Sequence, residues 1–257
     1  MNRIDKLFSE KKGNILSIYF TAGYPAQNDT LRIIKSLDQY GADMIEIGMP
    51  FSDPVADGPV IQESSQVAIY NGMTLDLLFV QLKSLREITE MPVILMGYLN
   101  PVYRMGMDLF LEKCKKAGVD GVIIPDLPLE VYRDEYRKDF EKAGIRNILL
   151  ITPQTTDDRI REIDSMSGGF LYLVSSYSTT GRTGSFSKKQ IDYFSRIRGM
   201  KLKNPGVIGF GISDREGFKT ACRFASGGII GSAFIRAINE RGPMDEKIEK
   251  FFRDYER

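Results

Sequence analysis

Glu46 and Asp57 are the residues of this chain whose types and spacing best suit proton transfer. They lie in one stretch, 44–62, Met-Ile-Glu-Ile-Gly-Met-Pro-Phe-Ser-Asp-Pro-Val-Ala-Asp-Gly-Pro-Val-Ile-Gln, which begins as a strand and breaks into a loop. An ionised carboxylate between two isoleucines is penalised by desolvation unless it is paired or put to use. Glu46 alternates onto one strand face with Met44 and Gly48, while Ile45 and Ile47 take the other. The competing reading of Glu46 is a buried carboxylate hydrogen-bonded for structure alone. Asp57 lies in Asp53-Pro54-Val55-Ala56-Asp57-Gly58-Pro59. That composition reads equally as ordinary turn chemistry and as a stiff loop that holds an acid in place.

The chain has no histidine. This excludes Ser-His-Asp and Cys-His nucleophilic systems and argues against a transition-metal site, so no metal is expected. Acid and base work at neutral pH then falls to carboxylates, with Lys, Tyr or Cys as lesser options.

A second signal lies near the C-terminus. Gly209-Phe210-Gly211-Ile212-Ser213 follows one apolar run, and Gly231-Ser232-Ala233 follows the next and opens a short helical stretch over 234–239. Glycines admit close backbone approach, and N–H groups at a helix start, with the Ser232 hydroxyl, suit a phosphate dianion. The run 175–185, Ser-Ser-Tyr-Ser-Thr-Thr-Gly-Arg-Thr-Gly-Ser, has the small, polar composition of a lid or of a loop without function. Phe20, Tyr98, Leu127 and Tyr172, at or near other strand ends, could line an apolar pocket or simply pack.

These groups need a frame that gathers them. Apolar periodicity predicts helices over 3–11, 30–40, 74–88, 107–116, 130–142, 157–166, 188–197, 214–224 and 244–255. Strands are expected over 14–21, 44–48, 93–97, 121–124, 147–151, 170–174, 207–209 and 228–231. The strands are apolar on both faces, as a helix-covered parallel sheet requires. A helix–Gly–strand junction recurs at Gly41, Gly118 and Gly144. Eight such units in 257 residues predict a single α/β domain over 1–257, a (β/α)8 barrel with an extra N-terminal helix. In that fold the C-terminal strand ends form the active site, and the loops after strands seven and eight cradle phosphate. The first βα turn, Ala22-Gly23-Tyr24-Pro25, is not a dinucleotide fingerprint.

Composition narrows the partners. Lys+Arg is 35 and Asp+Glu 34, which leaves no basic excess for nucleic acid. No apolar run approaches membrane-spanning length, and the N-terminus lacks a signal-peptide core. Cys114 and Cys222, without metal or redox spacing, read as buried, reduced and structural in a cytoplasmic protein.

On these residues the chain resembles the tryptophan synthase alpha subunit family. The resemblance is carried by Glu46 to Pro59, by Tyr19-Phe20-Thr21-Ala22-Gly23-Tyr24-Pro25, by Pro125-Asp126-Leu127-Pro128 and by Gly231-Ser232-Ala233, and it runs nearly end to end. It implies retro-aldol cleavage of indole-3-glycerol phosphate to indole and glyceraldehyde 3-phosphate. Glu46 is then the general acid/base, and Asp57 accepts the indole N–H. Phe20, Tyr172, Thr183, Gly184, Phe210, Gly211, Gly231 and Ser232 bind substrate and phosphate. It implies no cofactor in this chain and an alpha-beta-beta-alpha assembly with a pyridoxal-phosphate beta subunit that receives the indole. Asp53 and Pro54 lie near that contact in the family.

The chain departs from the family in two places. Many members carry a single Gly-x-Thr-Gly in the lid, whereas Thr180-Gly181 and Thr183-Gly184 compete here; Thr183 is favoured. Ser226 stands where an Asp is common. Two other readings compete with the lyase: a phosphate-binding barrel that serves mainly as an allosteric partner, and another phosphate-handling barrel such as an isomerase or prenyl transferase.

Overall fold

The computed structural model describes residues 1–175 and 186–255. Among the described residues eight parallel strands form the frame: β1 Ile15–Thr21, β2 Met44–Gly48, β3 Val93–Met96, β4 Gly121–Ile123, β5 (Arg146–Asn147 and Leu149–Ile151), β6 Leu171–Val174, β7 Gly206–Gly209 and β8 Gly227–Ile230. Strand β5 pairs in two segments, Arg146–Asn147 against β4 and Leu149–Ile151 against β6. Only Ile148 separates them, and its amide donates to the Val122 carbonyl at 3.0 Å. The nine ladder segments among the described residues run β5-β4-β3-β2-β1-β8-β7-β6-β5. The sheet therefore closes on itself through β5, as the (β/α)8 expectation required.

Every residue of β1 and of β2 is buried, because helices cover the outside and side chains fill the inside. The junction glycines Gly41, Gly118 and Gly144 end their helices at φ 89, 79 and 75°, a left-handed cap that a Cβ would penalise. The extra N-terminal helix, Arg3–Glu10, is capped by the Asn2 side chain, which accepts from the Ile4 amide. Its Ile4 side chain is fully buried against Gly121 and Gly169. Asp5 pairs with Arg146, which ties this helix to β5.

Two helices were not expected from the sequence. Pro59–Tyr70 has no clear apolar stripe because its buried residues are Ile61, Ser64, Ser65 and Ala68. Its N-terminal proline suits a helix start. Leu99–Met105 carries Pro101 in its first turn, where the missing N–H costs nothing. The predicted helix 74–88 is divided by a 3-10 turn at Leu82–Ser84, and 130–142 by a π-helical stretch at Tyr132–Tyr136. Among the described residues, no helix is long and apolar enough to cross a membrane, and no group of three His, Cys, Asp or Glu is placed to hold a metal. Cys114 is buried as expected, but Cys222 is only partly so.

Candidate active site

The register of β1 and β2 sets the centre of the site. Tyr19 pairs with Glu46, Ser17 with Met44 and Thr21 with Gly48. Glu46 is wholly buried. Its Oε1 accepts a 2.9 Å hydrogen bond from the Ser17 hydroxyl, while Oε2 has no partner among the described residues. Burial pushes the carboxyl up to about 8, against a smaller downward pull from Ser17. Glu46 therefore keeps its proton at neutral pH and can donate it.

Asp57 lies just before the helix Pro59–Tyr70, in a loop that closes a turn and also fixes its carboxylate. Its amide donates to the Pro54 carbonyl at 3.0 Å, closing a turn. Its Oδ2 accepts from the Tyr98 hydroxyl at 3.0 Å. The Gln62 side-chain amide donates to the Asp57 carbonyl at 2.9 Å and the Pro54 carbonyl at 3.3 Å, pinning the loop to its helix. Burial raises the Asp57 carboxyl to about 6, and the Tyr98 hydrogen bond opposes it. Asp57 is thus largely ionised at neutral pH. Two carboxyl groups whose environments separate their proton affinities are the pattern of one acid and one fixed anion.

Two tyrosines join the pair. The Tyr19 and Tyr172 phenols are buried and held far above their ordinary range, first by desolvation, and each is close enough to feel both Glu46 and Asp57. The Tyr19 hydroxyl fills the space where Gly48 lacks a Cβ, and the Tyr172 hydroxyl does so at Gly209. Tyr19, Asp57, Tyr98, Phe51 and Met49 line one narrow cavity.

The Phe20 expectation needs correction here. Phe20 is fully buried on the strand face opposite Tyr19, away from the carboxylates. A one-residue phase error moves a side chain to the other side of the sheet. The signal was present: in Ile-Leu-Ser-Ile-Tyr-Phe-Thr the hydroxyl-bearing residues Ser17, Tyr19 and Thr21 alternate, marking the inner face. Ser17 and Tyr98 were likewise missed as partners of the two acids.

At the far rim, Phe210 and Gly211 adopt φ 67 and 79°. The Ser175 hydroxyl donates to the Phe210 carbonyl at 2.6 Å, fixing that strained bend. The Phe210 ring meets the Tyr172 ring edge-on, with centroids 6.1 Å apart. Gly231 packs beside Tyr19, where a Cβ would sit 3.4 Å from the ring, and Ser232 opens the helix Ser232–Ile238, two residues earlier than expected. The structure thus gathers Glu46, Asp57, Tyr172, Phe210 and Gly231 around shared neighbours. Thr183 and Gly184 lie outside the described residues.

A family model for the tryptophan synthase alpha chain matches residues 5–256. The chain belongs to that family. The tryptophan synthase alpha chain of Flavobacterium johnsoniae is 55% identical over 251 residues, covering 98% of each chain. That of Flavobacterium psychrophilum is 55% identical over 242 residues, 94% of this chain and 95% of the relative. Among solved structures, a mutant Pyrococcus furiosus alpha-subunit superposes with a TM-score of 0.87 at 37% identity, covering 95% of this chain and 98% of that one. A Mycobacterium tuberculosis tryptophan synthase gives 0.89 at 26% identity, with coverages of 99% and 96%.

Within this alpha chain, the long glutamate-to-aspartate loop has a local logic. Glu46 is held by a strand interior and Asp57 by a tyrosine from the next strand's loop, so neither acid depends on the other for its position.

Proposed function

We propose that this alpha chain cleaves indole-3-glycerol phosphate to indole and glyceraldehyde 3-phosphate. Protonated Glu46 delivers its proton to the indole ring carbon that carries the glycerol chain. The ring becomes a positively charged iminium, which ionised Asp57 stabilises by accepting the indole N–H. The glutamate, now a carboxylate, takes the proton of the adjacent glycerol hydroxyl. The carbon–carbon bond then breaks, its electron pair returns to the ring, and the hydroxyl carbon becomes the aldehyde. Glu46 ends the cycle protonated, so the acid is regenerated without a cofactor in this chain.

The observation that carries this reading is the placement of the two acids: Glu46 wholly buried with Oε2 unpartnered among the described residues, and Asp57 held by the Tyr98 hydroxyl, an arrangement that raises Glu46 above Asp57. Gly211, Gly231 and Ser232 are assigned to the phosphate, Phe210, Tyr172 and Tyr19 to the pocket wall, and Thr183 and Gly184 to the lid. The indole passes to a pyridoxal-phosphate beta subunit in an alpha-beta-beta-alpha assembly. One related structure is described as a tryptophan synthase complex from Pyrococcus furiosus, which supports such a partner. A cytoplasmic setting, without nucleic-acid or membrane partners, fits the even charge balance.

The test is indole release from indole-3-glycerol phosphate by Glu46→Gln and Asp57→Asn. Each is expected to lower kcat by about 100- to 10,000-fold, the scale of a lost acid/base group. Near wild-type turnover in both would overturn the proposal.

A further inference from the structure

Glu46 has two chemically distinct oxygens in this structure, and Ser17 makes them so. The Ser17 hydroxyl donates to Oε1 at 2.9 Å across the β1–β2 pair, and Oε2 is buried without a partner among the described residues. Ser17 is itself fully buried. It sits on the inner face of β1, paired with Met44 of β2 and Ile229 of β8. A hydroxyl buried this deeply costs desolvation unless it is satisfied, and the Glu46 carboxyl oxygen satisfies it.

A neutral carboxyl carries one O–H and one carbonyl-type oxygen. An outside donor favours the oxygen without the proton. We propose that Ser17 is a positioning residue for the alpha-chain reaction: by donating to Oε1 it commits the Glu46 proton to Oε2 and holds that oxygen in one orientation. This rests on the lyase reading of Glu46. Without the Ser17 donor the carboxyl can exchange its two oxygens, and the proton spends part of its time on the oxygen that faces down into β1. The titratable groups facing Glu46 are Tyr19 from β1, Tyr172 from β6 and, through those tyrosines, Asp57. The tyrosines are held neutral by burial, so Ser17 is the nearest group that discriminates between the two oxygens.

The experiment compares wild type, Ser17→Ala and Ser17→Thr in two readouts. The first is substrate-free: the Glu46 carboxyl titration followed by carbonyl infrared or carbon NMR, assigned by its loss in Glu46→Gln. Loss of a donor to the charged form should move the wild-type midpoint upward by about one pH unit in Ser17→Ala, with Ser17→Thr close to wild type. The second is indole release, where Ser17→Ala should lose about tenfold in kcat with KM nearly unchanged. An unchanged titration midpoint together with unchanged kcat would overturn the role of Ser17. If wild type itself released no indole, the lyase reading would fail while the titration arm still decided whether Ser17 sets the proton affinity of Glu46.

Discussion

The Tyr98 hydroxyl donates to Asp57 Oδ2 at 3.0 Å, and the Tyr98 phenol oxygen accepts the Ala56 amide at 2.9 Å. One phenol thus anchors both the backbone and the carboxylate of the loop after β2. It sits beyond the end of β3, stacked at a tilt on Phe51 with ring centroids 5.2 Å apart. The loop is positioned by the neighbouring strand rather than by its own prolines alone.

Tyr98→Phe should therefore act on Asp57. The lost donor had lowered the Asp57 carboxyl, so its value should climb from about 6 by roughly one unit. In the proposed reaction an ionised Asp57 stabilises the cationic ring, so the acid limb of the kcat/KM profile should shift to higher pH. A pH series of indole release checks this; an acid limb that stays where it was would separate Asp57 from that limb.

Gly48 and Gly209 give a steric prediction. A Cβ at either position would fall within the tyrosine hydroxyl that covers it, Tyr19 or Tyr172. Gly48→Ala should cost about 1–3 kcal/mol of stability through overpacking and should also displace Tyr19 from the carboxylates. Gly13, which has open space around it, supplies the control: Gly13→Ala should leave activity unchanged. Urea melts and turnover of both variants decide the matter, and equal behaviour would contradict the packing argument.

Glu46 should also tax the fold in a pH-dependent way. Its folded value, about 8, is raised above the ordinary 4.5, so the native state holds a proton that the unfolded chain releases. For a raised acid the sign is a loss: stability falls as pH climbs from about 4.5 and levels off above about 8. Glu46→Gln removes the ionisation. The variant and wild type should be similar in stability near pH 4, and the variant should be more stable by on the order of a few kcal/mol near pH 9. Denaturant unfolding across that range is the measurement, and parallel curves would show that Glu46 titrates normally.

The barrel and its strand order were readable because their signals are local. Short apolar runs, period-3.6 stripes and glycine stops each lie within a few residues, and they placed 30–40, 44–48 and 157–166 where the structure has them. The helix Pro59–Tyr70 escaped because, beside Ile61, it buries two serines and an alanine rather than an apolar stripe.

By itself, the sequence determined that this chain is a (β/α)8 barrel of a recognisable family, with no histidine and a glutamate inside an apolar strand. The tertiary structure decided which groups surround those residues. It settled which phase of β1 faces the site, so that Tyr19 and not Phe20 stands beside Glu46. It made Asp57 an acid and a turn residue together, through a tyrosine 41 positions away. It assigned the two oxygens of Glu46 through a serine 29 positions away. Pattern along the chain reports which residues are buried; proton affinity and orientation depend on which groups meet inside the barrel, and only ring closure brings those groups together.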